Sequence, residues 1–232
     1  MRNSIFQFLW YKIVRPLVKC DDTRTGFFRS AKRYKAAYRL SLLFGGWDAV
    51  LMGDSNEAVD DTYENMKKYK SLVFCIGVGG TTPGDIVAFL NSPSGEWLVR
   101  VFRKFKDPAA MHFNTGGNCG LKNQMDTAKL QLKQLHDMFP ASYNQTIPPV
   151  KTWLLDQLDN KFENNRTDDE WRQVFALLND YIEEIWDPFY IDMNRILKYP
   201  KTSEAYLWAL KDPVHYSEYS VYLRQAILNE YI

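Results

Sequence analysis

Polar residues recur at every fourth position over the first 19 residues of the chain. The polar stripe consists of Asn3, Gln7, Tyr11, Arg15 and Lys19. Because the positions between them are mostly apolar, this spacing predicts an amphipathic helix over residues 3–19, which Pro16 ends or kinks. A second helix is predicted over residues 30–44, basic at its start and apolar at its end, before Gly45 and Gly46 break the pattern.

Beyond Gly46, short apolar runs alternate with helical patterns. The apolar runs predict five strands, over residues 47–52, 72–76, 109–113, 142–147 and 189–192. Helices are predicted up to about residue 69, up to about residue 105, over 124–138, 150–164 and 168–185, and after residue 217. Strands that alternate with helices indicate an open parallel sheet with helices on both faces. We therefore predict a flavodoxin-like, three-layer α/β/α fold with a five-stranded parallel sheet.

Composition and charge refine this picture. The chain has 232 residues, of which 46% are hydrophobic and 25% charged, and these values exclude disordered, collagenous and coiled-coil proteins. Residues 1–39 contain ten Lys or Arg and two Asp, a net charge of +8, against −7 for the remainder. We predict a basic N-terminal helical extension over residues 1–44 and one domain over residues 45–232. The charge asymmetry hints at an anionic contact for the N-terminal part.

Two arrangements of the N-terminal helix are open. Its apolar face docks on the domain as extra core, or the helix lies on an anionic membrane surface with Phe6 and Trp10 immersed. The sequence contains no run of about 18 uninterrupted apolar residues and no cleavage site of a secretory signal peptide. We therefore expect a cytoplasmic protein, which in the second arrangement is peripheral to a membrane.

Cofactors and nucleic acids are not expected. The three cysteines have no CxxC spacing and the three histidines no HxxxH spacing, so neither a disulfide framework nor a metal centre is predicted. The glycine cluster of residues 77–80 lacks the GxGxxG spacing of a dinucleotide site. We expect no cofactor, no metal and no nucleic-acid partner.

Small polar clusters follow three of the predicted strands, and a fourth cluster precedes the last helix. The clusters are Gly53-Asp54-Ser55-Asn56, residues 77–82, residues 114–119, and Asp212-Pro213-Val214-His215. The carboxyl ends of parallel strands meet at one edge of the sheet, where ligands bind. A serine at a strand-to-helix turn, a histidine three residues after an aspartate, glycine backbone N–H groups and an asparagine amide together suit acyl transfer.

These four clusters resemble the blocks of the SGNH hydrolases, also called the GDSL lipase/esterase family. The matching residues are Gly53-Asp54-Ser55, Gly80, Gly116-Gly117-Asn118 and Asp212–His215, in the family's order. The resemblance covers roughly residues 47–230 and implies the SGNH hydrolase fold. It implies Ser55 as nucleophile, His215 as general base and Asp212 as the carboxylate that orients His215. The implied oxyanion hole consists of the Ser55 and Gly80 backbone N–H groups and the Asn118 side chain.

The resemblance implies a metal-independent serine ester hydrolase, either esterase- or lipase-like or a carbohydrate deacetylase. Its substrate would be a small-molecule, lipid or carbohydrate ester. Two alternatives stay open, namely acyl transfer at the same site and a catalytically silent binding module on the same fold. Asn179 and the stretch from Ile147 to Val150 match softer features of the family.

The chain departs from the family pattern at two positions. Asn56 replaces a leucine, a change that we expect to be without consequence because the position lies just inside a helix. Cys119 replaces an aspartate that braces the asparagine turn in the family, so the effect of this change on the rate is open. Cys119 is either a thiol nucleophile or a packing residue, and packing is favoured. Structural roles are favoured for His112 and His136, and the aromatic residues of 186–208 suit either a substrate pocket or the core.

Overall fold

The structure is a computed structural model that describes residues 1–104, 111–121, 124–149, 167–200, 205–212 and 214–232. Five strands form one sheet: β1 (Ala49–Gly53), β2 (Val73–Gly77), β3 (Met111–Asn114), β4 (Tyr143–Gln145) and β5 (Tyr190–Ile191). All neighbouring pairs are parallel, and the spatial order is β2-β1-β3-β4-β5. The predicted five-stranded parallel sheet is confirmed, with strand ends that differ from the predicted ones by one or two residues.

The described part of the chain contains thirteen α-helices. They are α1 (Arg2–Phe8), α2 (Arg15–Leu17), α3 (Gly26–Arg29), α4 (Ala31–Ser41), α5 (Ser55–Asp60), α6 (Tyr63–Met66), α7 (Pro83–Leu90), α8 (Glu96–Lys104), α9 (Gly117–Leu121), α10 (Met125–Met138), α11 (Asp168–Trp186), α12 (Met193–Ile196) and α13 (Glu218–Tyr231). A π-helical segment, Leu9–Val14, joins α1 to α2, and a 3₁₀ turn, Leu42–Phe44, follows α4. The helix predicted over residues 150–164 lies outside the described residues.

The helix predicted to reach residue 105 is in fact two helices, α7 and α8. The chain turns at Gly95, where an added Cβ would lie 2.2 Å from the carbonyl oxygen of Phe89. Only glycine fits so close to that carbonyl, so the chain turns here and the predicted helix is divided into two. The capping box predicted at the start of α11 is confirmed, because Thr167 and Glu170 bond each other's backbone N–H groups.

Apolar side chains alternate between the two faces of the sheet. On β1, Val50 and Met52 belong to one buried cluster, and Ala49 and Leu51 belong to the other. Helices cover both clusters, which is the arrangement expected of a parallel sheet buried on both sides. The three-layer architecture follows from this alternation.

The N-terminal helix, residues 2–17, lies along the open edge of β2 with its polar stripe turned inward. Gln7 Nε2 donates to the carbonyl of Val73 at 2.6 Å, and Asn3 Nδ2 donates to the carbonyls of Met66 and Tyr69, each at 2.9 Å. An edge strand and the chain that leads to it carry carbonyls without partners, and these amides satisfy them. The polar stripe is therefore part of the contact with the domain.

The apolar residues of the N-terminal helix are divided between the core and the surface. Phe6 and Trp10 are buried in the cluster that also contains Val50, so they are not available for immersion in a membrane. Exposed apolar side chains on the same helix are Ile5, Phe8, Ile13 and Leu17. The inner face of the helix is thus docked on the domain, as in the first of the two predicted arrangements. The division of the chain at residue 44 stays a prediction.

A buried ion network joins α5 to the C-terminal helix α13. Arg224 donates to Glu57 at 2.5 and 2.7 Å and to Asp60 at 2.9 Å, with all three side chains almost inaccessible to solvent. Its Nε also donates to Gln145 of β4 at 2.9 Å. Removing one partner from such a network leaves a buried charge uncompensated, so the network fixes the position of α5.

Candidate active site

Ser55 occupies the turn between β1 and α5. Asp54 caps the helix, because its Oδ1 accepts a hydrogen bond from the backbone N–H of Asn56 at 3.0 Å. Gly53 ends β1 in close contact with β3, since an added Cβ would lie 2.3 Å from the carbonyl oxygen of Asn114. Ser55 is thereby the first residue of a helix, with its hydroxyl at the carboxyl edge of the sheet.

His215 lies between Ser55 and Asp212 and contacts both. Its Nε2 is 2.9 Å from Ser55 Oγ, and its Nδ1 is 2.9 and 2.8 Å from the two carboxylate oxygens of Asp212. The three residues predicted as nucleophile, base and orienting acid are thus hydrogen-bonded in series. A histidine that donates from Nδ1 to a carboxylate leaves Nε2 to accept the serine proton.

Asp212 is held as a carboxylate by hydrogen bonds from its own turn. Burial alone would raise the pKa of Asp212, but backbone N–H groups of His215 and Val214 and the His215 ring outweigh it and bring the pKa below its ordinary value. The backbone bonds measure 2.9 Å from His215 and 3.1 Å from Val214, both to Oδ1. The group that orients His215 therefore stays ionised at neutral pH.

The predicted oxyanion donors Gly80 and Asn118 lie in the loop after β2 and in α9, respectively. Gly80 has a φ of +75°, a conformation that glycine adopts without strain. The preceding residue, Gly79, lies beside Ser55, because a Cβ added to Gly79 would be 3.8 Å from the Cβ of Ser55. Asn118, in α9, lines the same pocket as Ser55. Its Nδ2 donates to the carbonyl of Thr81 at 2.8 Å and lies 3.5 Å from Asp54 Oδ2.

Asp54 is buried beneath the site. Burial raises its pKa to about 7, against the opposing effect of the hydrogen bond from the Asn56 backbone. Its second oxygen faces the Asn118 amide, so Asp54 supports both the helix that bears Ser55 and the side chain of Asn118.

Asn56 makes a contact that the sequence did not predict. Its Oδ1 accepts a hydrogen bond from the backbone N–H of Tyr216 at 2.9 Å, and its Nδ2 donates to the carbonyl of Val214 at 3.2 Å. The two bonds flank His215. The position lies just inside α5 as expected, yet the amide is buried and joins the nucleophile helix to the histidine loop. An amide at a position that is apolar in the family was the only available signal.

Cys119 lies on the core side of α9, completely buried in the large apolar cluster. This placement agrees with packing and separates the thiol from the role of a nucleophile. The other two histidines also lie apart from the pocket: His112 stacks on Tyr143 with ring centroids 5.0 Å apart, and His136 packs edge-on against Trp186.

Apolar side chains close one side of the pocket. Ile147 lines it and is fixed by Asn179, whose amide accepts from the Ile147 backbone N–H at 2.6 Å and donates to its carbonyl at 3.0 Å. Of the aromatic residues left open above, Trp186 belongs to the core and Trp208 is 41% exposed and stacks on Tyr206. Neither tryptophan lines this pocket.

The described residues carry neither a metal cluster nor a membrane-spanning helix. That part of the chain contains no group of three or more His, Cys, Asp or Glu side chains placed to hold a metal ion. Among the same residues, no helix combines the length and apolar character that a membrane span needs.

The sequence matches no protein-family model, and no curated protein is significantly similar to it. Solved structures are similar in fold. A GDSL-like lipase from Bacteroides thetaiotaomicron superimposes with a TM-score of 0.56 at 14% identity, covering 78% of this chain and 85% of that one. The lipase/acylhydrolase from Enterococcus faecalis gives 0.51 at 18% identity, covering 78% and 93%.

A third structure matches almost the whole chain, including the N-terminal helices. It is a protein from Streptococcus pneumonia provisionally described as a platelet activating factor, with a TM-score of 0.59 at 12% identity, covering 99% of this chain and 90% of that one. At sequence identities this low, the structural similarity establishes the fold alone. The chain has the three-layer fold that the GDSL-like lipase and the lipase/acylhydrolase share, as the resemblance implied.

Proposed function

We propose that the protein is a serine ester hydrolase that acts through Ser55, His215 and Asp212. The observation that carries the proposal is the hydrogen-bonded series in which His215 contacts Ser55 Oγ through Nε2 and Asp212 through Nδ1. Nucleophile, base and orienting carboxylate in contact at a helix N-terminus form the arrangement of an activated serine. The fold shared with lipases and acylhydrolases supports the same reaction class.

The reaction follows from the positions of these groups. Ser55 Oγ attacks the ester carbonyl carbon while its proton passes to His215 Nε2, and Asp212 stabilises the imidazolium that forms. The oxyanion accepts hydrogen bonds from the Ser55 and Gly80 backbone N–H groups and the Asn118 amide. His215 then protonates the departing alcohol, and a water molecule that it deprotonates releases the acid from the acyl-enzyme.

The pocket dimensions favour a short acyl group. The space that the described residues leave beside Ser55 is about 20 Å³, enclosed on the apolar side by Leu121, Ile147 and Phe175. That space holds little more than one water molecule or methyl group. We therefore propose acetyl or similarly short esters as substrates, which a series of esters of increasing acyl length would test as a fall in kcat/KM.

The proposal is tested by turnover of a soluble acetyl ester and by labelling with a serine-directed organophosphonate. Ser55→Ala should remove nearly all turnover and the label, whereas Ser4→Ala, at an exposed serine of the N-terminal helix, should change neither. If purified Ser55→Ala kept more than a tenth of wild-type turnover, the serine mechanism would be wrong.

We also propose a peripheral contact with an anionic membrane through the outer face of the N-terminal helix. The specific observation is the exposure of Ile5, Phe8, Ile13 and Leu17 beside the exposed Lys12, on the segment that carries the excess of basic residues. Apolar side chains bordered by lysines suit the interface of a bilayer with anionic headgroups.

A further inference from the structure

A second cavity lies between the N-terminal helices and the carboxyl end of β2. Its volume is about 310 Å³, and the side chains of Arg15, Arg29 and Arg33 line it together with the backbone of residues 77–79. A neighbouring depression of about 470 Å³ shares Arg29 and Arg33 and adds Lys19. The two spaces therefore share one basic wall.

The cavity borders the candidate active site through a single loop. Gly79 lines the cavity, and a Cβ added to Gly79 would lie 3.8 Å from the Cβ of Ser55. Gly80, the predicted oxyanion donor, is the next residue. A group bound in the cavity and an ester at Ser55 would thus lie on either side of residues 79 and 80.

The three arginines differ in how many of their N–H groups bond to other groups of the protein. Arg15 is paired with Asp61 through two bonds of 3.0 and 3.1 Å, so it is largely committed to the protein. Arg33 donates only its Nε, to the carbonyl of Val18 at 2.8 Å, and none of the hydrogen bonds among the described residues uses its two Nη groups. Among the described residues, the Arg29 guanidinium makes one hydrogen bond, to the exposed Asp22 at 2.9 Å.

The charge of the two spaces is positive overall. Four cations and two carboxylates, Asp22 and Asp61, line them. A guanidinium presents N–H groups in a fork that matches two oxygens of a phosphate. Two guanidinium groups together suit a doubly charged phosphate ligand better than a singly charged carboxylate ligand. We propose that this arginine cavity binds a phosphate group carried on the alcohol part of the ester substrate. The inference rests on the proposed ester hydrolase function and names its substrate class.

The test compares two soluble esters that differ only in the phosphate, 1-acetylglycerol and 1-acetylglycerol 3-phosphate. Wild-type protein should show the higher kcat/KM for the phosphate ester, chiefly through a lower KM. Arg33→Gln should reduce that preference roughly tenfold, the usual consequence of losing a hydrogen bond to a charged group. Turnover of the neutral ester should stay unchanged, because Arg33 does not contact the catalytic groups.

Two further variants keep the result interpretable. Arg29→Gln removes the other available fork at an exposed position and should act in the same direction even if Arg33→Gln folds poorly. Arg100→Gln is the matched control, since Arg100 is exposed, paired with Glu96 on α8 and outside the cavity. Inorganic phosphate should inhibit turnover of the phosphate ester by the wild type, and this inhibition should be weaker in Arg33→Gln, at constant ionic strength.

These experiments distinguish failure of the proposed phosphate site from failure of the proposed serine mechanism. Equal kcat/KM for the two esters in the wild type, or a preference that Arg33→Gln and Arg29→Gln leave intact, would overturn the phosphate site while the serine mechanism stands. If no ester is turned over, direct binding of the phosphate ester to the wild type and its loss in Arg33→Gln still supports the site, and no binding refutes it. Arg33-dependent binding to phosphatidic acid vesicles without preference for the soluble phosphate ester would assign the cavity to a lipid surface and overturn the substrate assignment.

Discussion

Asn56 and Tyr216 are joined by a hydrogen bond of 2.9 Å from the Tyr216 backbone N–H to the Asn56 side chain. The same amide donates to the carbonyl of Val214, so the backbone on both sides of His215 is tied to the second residue of the helix that begins with Ser55. The Asn56 side chain therefore helps to hold His215 Nε2 at its distance of 2.9 Å from Ser55 Oγ.

Asn56→Leu is expected to lower kcat roughly tenfold or more and to leave KM nearly unchanged. Leucine removes both hydrogen bonds and leaves a buried N–H and a buried carbonyl without partners, at a cost of about 1–3 kcal/mol each. The misplacement of His215 slows proton transfer and leaves substrate contacts intact. Steady-state kinetics and urea unfolding would measure the two effects.

Asn65→Leu is the matched control, because Asn65 Nδ2 donates to the carbonyl of Val59 away from the histidine loop. It should lower stability without lowering kcat in the native protein. A variant Asn56→Leu with wild-type kcat would show that the His215 loop holds its position unaided.

The sheet and the site were predictable because they depend on local patterns. Each strand is a short apolar run, and parallel strands bring their carboxyl ends to one edge, so Ser55 and Asn118 were expected near each other. Ser55, His215 and Asp212 could be assigned roles from a family resemblance carried by four short blocks. The structure places these three residues in direct contact.

Other features depend on long-range contacts that no local pattern encodes. The polar stripe of the N-terminal helix turns inward because β2 is an edge strand, which only the strand order reveals. Asn56 meets a loop about 160 residues away in sequence. The arginine cavity likewise forms only when residues 15–33 fold over the end of β2.

Combining Ser55→Ala with His215→Ala should add almost nothing to the loss caused by either change alone. Serine without its base and base without its serine are each nearly inert, so the two residues act as a unit.

Asp212→Asn should lower kcat by about 10²–10⁴, because an amide can donate to His215 Nδ1 and stabilise the wrong tautomer. Turnover of a short ester by the three variants and the double variant provides the measurement, and additive losses would contradict a shared mechanism.

Asn118→Ala should lower kcat by about 10²–10³, the cost of one oxyanion donor, with little change in KM. In the free protein the Asn118 amide already bonds the Thr81 carbonyl, so its direction is fixed before substrate binds. Asn179→Ala is a useful comparison, since that amide holds the pocket wall at Ile147 instead of the oxyanion. Its main effect should be on KM, and equal effects of the two variants on kcat would argue against the oxyanion assignment.

Asp54 should make the native state less stable as the pH rises toward 7. Burial raises its pKa to about 7, whereas an unfolded chain ionises aspartate near pH 4. Between these values the folded state binds more protons than the unfolded state, so the Asp54 contribution to the free energy of unfolding falls with increasing pH. Above pH 7 both states are ionised and the penalty stays constant.

Asp54→Asn should remove this pH dependence while keeping a capping oxygen for α5. Relative to the wild type, the variant should gain about 2 kcal/mol between pH 5.5 and pH 8, at about 1.4 kcal/mol per pH unit up to pH 7. Urea unfolding at the two pH values measures the difference, and Asp126→Asn, at an exposed position on α10, controls for the loss of one carboxylate. A constant difference between Asp54→Asn and the wild type would show that Asp54 ionises normally in the fold.

The outer face of the N-terminal helix should bind anionic vesicles more strongly than neutral ones, and added salt should weaken that binding. The double variant Phe8→Ser and Leu17→Ser removes two exposed apolar side chains without touching the buried Phe6 and Trp10, so binding should fall while the melting temperature changes little. Sedimentation with vesicles containing phosphatidylserine measures the effect. Leu130→Ser with Leu177→Ser removes two other exposed leucines, from α10 and α11, and should bind as the wild type does. Equal binding by all three proteins would exclude the N-terminal helix as the membrane contact.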